Sequence, residues 1–323
     1  MTQPKVNLTR SQLLKLLQDN GFDKSAVADI LGVGEASIRR ACKRLTIDCD
    51  VEKRAKIADV KIPKFRSKTS SSSASCKVGT FVVVPDTHAQ TVLWNYLALV
   101  CQFIRDFKPE YIIHIGDLMD YECLMGKMKT KYPSFDGADM KSLATEYEAC
   151  AKQISMINQA APKNCKKIFL KGNHEHRADM LIKKNPEFKE ILEMEQHLEL
   201  QGWQIMPYLQ KVKLGKLNFI HGEFYGTHPV KKHLEVYQKN VVFGHTHAIE
   251  QSTKPSPMRE IPIWGAMAGC LCSVNADYMR NKSSRAEHGF AYGWFEKDSG
   301  DFDVMIKRII RGKFWAEGRR YSV

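Results

Sequence analysis

From residue 79 to residue 310 the chain repeats one pattern, an apolar run that stops at a polar segment bearing Asp, Asn or His, usually beside glycine. Five such segments follow in order: Asp86-Thr87-His88, Gly116-Asp117-Leu118-Met119-Asp120, Gly172-Asn173-His174-Glu175-His176-Arg177, His221-Gly222 and Gly244-His245-Thr246-His247. Short apolar runs bounded by such breaks read as buried strands, and longer stretches with helical periodicity as helices. Strands are predicted over Thr80–Pro85, Tyr111–Ile115, Lys167–Leu170, Tyr208–Leu214, Leu217–Ile220, Val241–Phe243, Ile261–Ala268, Phe290–Glu296 and Phe302–Ile309. Helices are predicted over Thr91–Phe107, Ala138–Gln159 and Pro186–Leu200. A βαβαβ first half giving way to a strand-rich second half specifies an α/β sandwich of two facing sheets flanked by helices.

Open α/β sheets gather ligand-binding side chains at the C-terminal ends of their strands, so five such loops converge on one place. Their glycines fit this role, because a chain turning sharply to aim a side chain back at a cation needs positive φ or close backbone approach. Imidazole, carboxylate and amide-oxygen donors without a thiolate suit Mn²⁺, Fe²⁺ or Zn²⁺. The donors of these five segments exceed the needs of one tetrahedral site. Two ions ~3.5–4 Å apart, bridged by a carboxylate, account for the number and form a clamp for in-line attack at phosphorus.

In this order, D-x-H, G-D-x-x-D, G-N-H-E, a strand-end His and G-H-x-H resemble the calcineurin-like metallophosphoesterase superfamily across about residues 79–310. The resemblance implies a four-layer α/β/β/α sandwich with two divalent ions, Mn²⁺ favoured and Fe²⁺, Zn²⁺ or Ni²⁺ as alternatives. It places Asp86, His88 and His247 on one ion, Asn173, His221 and His245 on the other, and Asp117 between them. A bridging hydroxide is then the nucleophile, and His174 is the non-ligand histidine that stabilises the transition state and protonates the leaving oxygen. Asp120 would orient a ligand or His174, and Arg177 would face the phosphate. Glu175, His176 and Glu223 flank ligands and read as supporting residues.

The resemblance leaves the substrate open. Nucleases, cyclic-nucleotide phosphodiesterases, protein phosphatases and dinucleoside polyphosphate hydrolases share these motifs, and Glu175, where many nucleases have Asp, matches the protein phosphatase form. His114, His197, His228, His233 and His288 lack ligand spacing and read as packed or solvated, Trp264-Gly265 and Gly293-Trp294 as sheet packing. Tyr121, Phe224 and Tyr225 follow motif loops and are candidates for lining the substrate cleft. The nine cysteines include no C-x-x-C pair and read as reduced, buried thiols rather than a disulfide frame or zinc knuckle.

Residues 67–77, SKTSSSSASCK, read as a flexible linker ahead of a catalytic domain over 78–310. Before it, 1–66 predict three short helices, Ser11–Asn20, Lys24–Leu31 and Glu35–Leu45, with a tight Gly32-Val33-Gly34 turn before the last. That pattern resembles a helix-turn-helix module, with Ser37, Arg39, Arg40, Lys43 and Arg44 as candidate DNA contacts. The net charge of +13 supports a polyanionic partner by its distribution. Residues 1–66 carry 14 Lys+Arg against 8 Asp+Glu and 307–323 carry 6 against 1, whereas 67–306 are nearly neutral at 29 against 27. Residues 311–323 read as a basic tail that adds to DNA binding.

The sequence therefore favours a DNA-directed phosphodiesterase or nuclease. Alternatives are a phosphomonoesterase acting on a nucleotide, a DNA end or a phosphoprotein, and a non-catalytic DNA-binding regulator. Oligomeric state is left open. No apolar run approaches the ~20 residues of a membrane span, and the N-terminus lacks a signal-peptide apolar region, so a cytoplasmic protein is expected. A helix-turn-helix joined to a phosphoesterase is similar to proteins of tailed bacteriophages and prophages, which points to a bacterial host cell.

Overall fold

The structure is a computed structural model that describes residues 6–20, 22–49, 77–125, 140–255, 257–258, 260–274 and 285–323. The chain divides into two compact units, Met1–Ser73 and Ala74–Val323. Apart from Lys77, the Ser-rich segment 67–77 lies outside the described residues.

The first unit contains helices α1 (Arg10–Asp19), α2 (Lys24–Ile30) and α3 (Glu35–Arg44). Their boundaries follow from capping: Thr9 and Gln12 form a reciprocal box at the start of α1, and the Asp23 carboxylate accepts the N–H groups of Ser25 and Ala26 at α2. Leu13, Leu17, Val27, Ala28, Ile38, Ala41 and Cys42 form the core. One expectation fails on α3. Ser37 is only 5% exposed, because it shares the inward face with Ile38 and Ala41, so it does not belong with the exposed Arg39, Arg40, Lys43 and Arg44.

The second unit begins with β1 (Val78–Val84), α4 (Trp94–Phe107), β2 (Tyr111–His114), α5 (Met140–Ala160), β3 (Lys166–Leu170), α6 (Asn173–Lys184) and β4 (Trp203–Met206). It continues with β5 (Val212–Leu214), β6 (Leu217–Phe219), α7 (Pro229–Tyr237), β7 (Asn240–Phe243), β8 (Ile249–Lys254) and β9 (Ile263–Ala268). Last come β10 (Gly289–Glu296), β11 (Phe302–Arg308), β12 (Lys313–Ala316) and β13 (Arg319–Ser322). One sheet has the order β11-β10-β1-β2-β3-β4, with β1 to β4 parallel; the other has the order β5-β6-β7-β9-β8, with β6, β7 and β9 parallel.

Period-two alternation builds the layers. On β1, Phe81 and Val83 face the second sheet, where Phe81 meets Phe219 with ring centroids 5.2 Å apart, while Val82 and Val84 pack under α4 and α5. On the far side, Val230 and Leu234 of α7 cover Val241, Phe243, Ile263 and Met267. The result is the expected four-layer α/β/β/α sandwich.

Three differences from the predicted elements have physical causes. The segment predicted as one helix over Pro186–Leu200 is a 3₁₀ turn, Pro186–Phe188, and two one-turn helices, Lys189–Leu192 and Met194–His197. Extended backbone at Glu193 breaks it, which lets Leu192 and Met194, two residues apart, both enter the core. Helix α6 starts within the third motif, so Asn173 through Arg177 occupy a helix N-terminus rather than a loop. Finally, residues 311–323 are not a tail. Strands β12 and β13 form a hairpin that buries Phe314, Ala316 and Tyr321 against Phe103 and Phe290, while Arg319 and the Tyr321 hydroxyl both bond Asp106.

Truncation after Ile310 therefore removes core rather than tail. At ~3–5 kcal/mol per deleted buried aromatic, the truncated chain should lose several kcal/mol in a denaturant melt of the second unit. An unchanged midpoint would restore the tail reading.

Candidate metal centre

The five motifs converge at the ends of β1, β2, β3, β6 and β7. Four of the candidate ligands are non-glycine residues held in the left-handed region: His88 (φ 51°), Asp117 (φ 49°), His245 (φ 70°) and His247 (φ 58°). Such backbone costs roughly 1–3 kcal/mol per residue and persists only where its surroundings over-determine it.

The hydrogen bonds show what over-determines it. The buried Glu175 carboxylate accepts four backbone N–H groups, from Asp117 (3.0 Å), Leu118 (2.8 Å), Met119 (2.9 Å) and Gly172 (2.7 Å). Glu146 of α5 takes the next two, from Asp120 (3.3 Å) and Tyr121 (2.8 Å). Burial pushes both carboxyls up to about 7, while their N–H donors pull in the opposite direction. The Asp117 and Leu118 carbonyls accept the N–H groups of Thr87, His88 and Ala89, which ties the second motif to the first. Gly172 and Gly244 are needed for close approach: a Cβ on the first would collide with the Asp117 carboxylate, and on the second with that of Asp86.

Asp117 stands at the centre, with Oδ2 3.3 Å from His221 Nε2, 3.8 Å from His174 Nε2 and 3.9 Å from His88 Nε2. On one side, Asp86 Oδ2 lies 3.2 Å from His247 Nε2, and the His88 and His247 Nε2 atoms face each other at 2.8 Å. On the other, Asn173 Oδ1 lies 3.0 Å from His221 Nε2 and 2.9 Å from His245 Nδ1. The seven expected ligands thus form two adjoining groups around one carboxylate.

The donor chemistry of these groups fits divalent cations. His221 Nδ1 donates to the Ile115 carbonyl (2.7 Å), so in a neutral ring Nε2 would turn a lone pair towards two other acceptors, Asp117 Oδ2 and Asn173 Oδ1. Asp86 Oδ1 is buried without a hydrogen-bond partner among the described residues. Electron-rich atoms packed so closely need protons or a cation between them. Burial pushes His88 and His221 down, but Asp120 and Asp117 beside the first and Asp117 beside the second outweigh it, holding them at about 10 and about 9. Burial likewise raises Asp117, yet His221, His174 and His88 keep it well below the usual carboxylate range.

Asp120 serves His88: its Oδ1 is 2.7 Å from His88 Nδ1. His174 Nδ1 donates to the Asp120 carbonyl (3.0 Å), and burial pushes its imidazole down to about 4. Arg177 donates to the same carbonyl (2.8 Å), with guanidinium nitrogens 3.2 Å from both His174 ring nitrogens.

Among the cleft candidates, only Tyr225 is open, at 80% exposure with its ring 6.4 Å from that of His245. Tyr121 is instead buried, its hydroxyl donating to the Leu192 carbonyl, and Phe224 packs on His233 and Tyr237. His114 stacks on Phe169, His197 on Tyr147 and His233 on Phe243, all outside the two ligand groups. Sequence reasoning missed Glu146, whose burial on a helix of mixed polarity is invisible without knowing the face that α5 turns to the sheet.

Two measurements test this account. Glu175→Gln leaves two of four N–H groups without an acceptor, so at ~1–3 kcal/mol each it should cost roughly 2–6 kcal/mol in a urea melt and lower bound metal. Chelation of the full chain should depress its Tm, and added Mn²⁺ or Zn²⁺ should restore it through binding to the native state. A Tm indifferent to both would remove the metal reading.

The profile of the calcineurin-like phosphoesterase family matches residues 79–245. The Gene 54 protein of Mycobacterium phage D29 is 26% identical over 260 residues, covering 75% of this chain and 98% of its own. Among solved structures, Vps29 from Entamoeba histolytica is similar at TM-score 0.37 and 10% identity, covering 76% of this chain and 99% of its own. YfcE, a phosphoesterase from E. coli, gives TM-score 0.32 and 13% identity, covering 70% and 98%. Since the family profile spans more than half of the sequence and runs from β1 through His245, the chain belongs to the calcineurin-like phosphoesterase family of metal-dependent phosphoester hydrolases.

Proposed function

We propose that the chain is a DNA-directed phosphodiesterase with a two-ion centre, Asp86, His88 and His247 on one side, Asn173, His221 and His245 on the other, and Asp117 shared. The observation that carries this reading is the pairing of that centre with a separate three-helix unit whose α3 exposes Arg39, Arg40, Lys43 and Arg44. Bound divalent ions would supply Lewis acidity at phosphorus. The remaining chemistry falls to side chains. Asp120 fixes the His88 ring, so that Nε2 is presented to the centre. His174 has Nδ1 occupied by the Asp120 carbonyl, which leaves Nε2 as the atom to deliver a proton to the leaving oxygen. That proton is disfavoured at rest by burial and by Arg177, and the negative charge of an arriving phosphate supplies the compensation. Arg177 acts by holding the ring and lending positive charge to the phosphate pocket.

On the DNA side, Arg39 pairs with Glu35 of its own helix, Arg40 donates to Ser37 Oγ and Arg44 donates to the Val6 carbonyl. Their exposed guanidinium groups and Lys43 suit phosphate contacts. A relative encoded by a mycobacteriophage supports a phage origin and a bacterial host.

The deciding assay is Mn²⁺-dependent hydrolysis of bis-p-nitrophenyl phosphate, p-nitrophenyl phosphate and end-labelled DNA. Diester and DNA cleavage is expected; turnover of the monoester alone would move the chain to the phosphatase reading, which Glu175 in G-N-H-E favours. In parallel, Asp117→Asn should abolish turnover and reduce bound metal, whereas His174→Ala should lower kcat ~10²–10⁴-fold with both metals kept. Metal loss in the second variant would refute its role. Replacing Arg40 and Lys43 together with Ala should leave small-ester turnover intact, weaken DNA binding and flatten its salt dependence.

A further inference from the structure

Among the described residues, a ligand-type side chain beyond the expected set reaches the same centre. Cys272 Sγ lies within 4.8 Å of ring nitrogens of both His88 and His247. It is 1% exposed, on a segment fixed to the first motif from both sides. The Leu271 N–H donates to the Asp86 carbonyl (2.8 Å), the Leu93 N–H to the Leu271 carbonyl (2.7 Å), and the Ser273 N–H to the Thr91 carbonyl (2.8 Å). Asp86 pairs with Cys270 and Val92 with Cys272 as isolated bridges, so the short extended run 270–272 flanks the turn that carries Asp86 and His88. Leu271 packs into the core under the helices, and its two neighbours take the opposite face. The Cys270 thiol donates to the Cys272 carbonyl (3.8 Å).

A second observation comes from the residue bridged to this run: the Asp86 carboxylate groups with His88 and Asp117, and its Oδ1 is buried with no hydrogen-bond partner among the described residues. The His88 and His247 Nε2 atoms face each other at 2.8 Å, so that side of the centre brings two imidazoles, a carboxylate and the thiol close together.

We propose that Cys272 is an additional metal ligand on the Asp86, His88 and His247 side. This rests on the reading of the cluster as a centre for divalent ions. A thiolate makes that side soft and selects Zn²⁺ or Fe²⁺ over Mn²⁺, whereas Asn173, His221 and His245 form a harder set. The two positions are therefore chemically unequal. Coordination forms one metal–sulfur bond and releases the thiol proton to solvent.

The test loads the metal-free full chain with Co²⁺. A sulfur-to-cobalt charge-transfer band in the near ultraviolet is expected for the native chain and for Cys270→Ala, and its loss in Cys272→Ser. In the same variant Zn²⁺ affinity should fall at least about tenfold while Mn²⁺ affinity holds, the scale on which even outer ligands' partners act. X-ray absorption of the unmodified zinc form gives a readout free of any folding defect: one sulfur at ~2.3 Å is expected. A zinc shell of nitrogen and oxygen only, or a Co²⁺ spectrum with ligand-field bands and no sulfur band, overturns the assignment and leaves the two-ion reading standing. Failure of the chain to bind Co²⁺ or Zn²⁺ at all overturns both.

Discussion

The centre depends on two buried carboxylates that are not themselves candidate ligands. Glu175 and Glu146 together accept every backbone N–H from Asp117 through Tyr121, five consecutive residues. No helix or sheet ladder serves that stretch, and buried N–H groups without acceptors cost ~1–3 kcal/mol each. The carboxylates remove this penalty and allow the left-handed backbone at Asp117 and Tyr121 that turns the Asp117 side chain towards the histidines. Glu175 also accepts from Gly172, so the β2 and β3 ends are held by one side chain. The Asp117 carboxylate then reaches back across, its Oδ1 accepting the His174 N–H at 3.1 Å.

This scaffold creates an electrostatic demand. Glu175, Asp117, Asp86 and Asp120 surround a small volume, three of them buried, and their nearest counter-charges are imidazoles. Protons on His88 and His221 can satisfy the balance, which is why these rings are held well above the ordinary histidine value. Divalent ions would satisfy it better, since each would replace protons and also draw on the lone pairs of the surrounding carboxylates and imidazoles. His174 sits against Arg177 and keeps only one nitrogen directed inwards, and at this ring, as at His245, burial outweighs the nearby carboxylates.

What the sequence revealed and what it hid divide along physical lines. Strands β1, β2, β3, β7 and β10 were legible because apolar residues on both faces leave a short unbroken run between glycines and polar stops. Edge strands were less so: β8, IEQSTK, alternates half-buried and exposed polar residues and carries no apolar signature. The motifs marked Asp86, His88, Asp117, Asn173, His221, His245 and His247 as candidates because each follows closely on a strand end, and the structure gathers these side chains around Asp117. Glu146 was hidden because its position depends on the buried face of α5, and the approach of Cys272 to His88 and His247 was hidden because it depends on a run bridged to a strand-end turn. The C-terminal hairpin shows the opposite error, in which basic charge masked Phe314 and Tyr321, whose rings belong to the core.

The charge distribution bears on how a centre of this kind would find a polyanion. Residues 67–306 are nearly neutral, so most of the catalytic unit contributes little long-range attraction. The hairpin's basic residues are partly committed within the fold, Arg319 to Asp106 in particular. The excess positive charge that remains lies largely in residues 1–66, where α3 exposes four basic side chains on a core held by Leu13, Leu17, Ile38 and Ala41. On the proposed function, attraction and chemistry are therefore separate properties of separate units. Screening by salt should act on the first and leave the second, a buried cluster whose charges are compensated within a few ångströms, almost untouched.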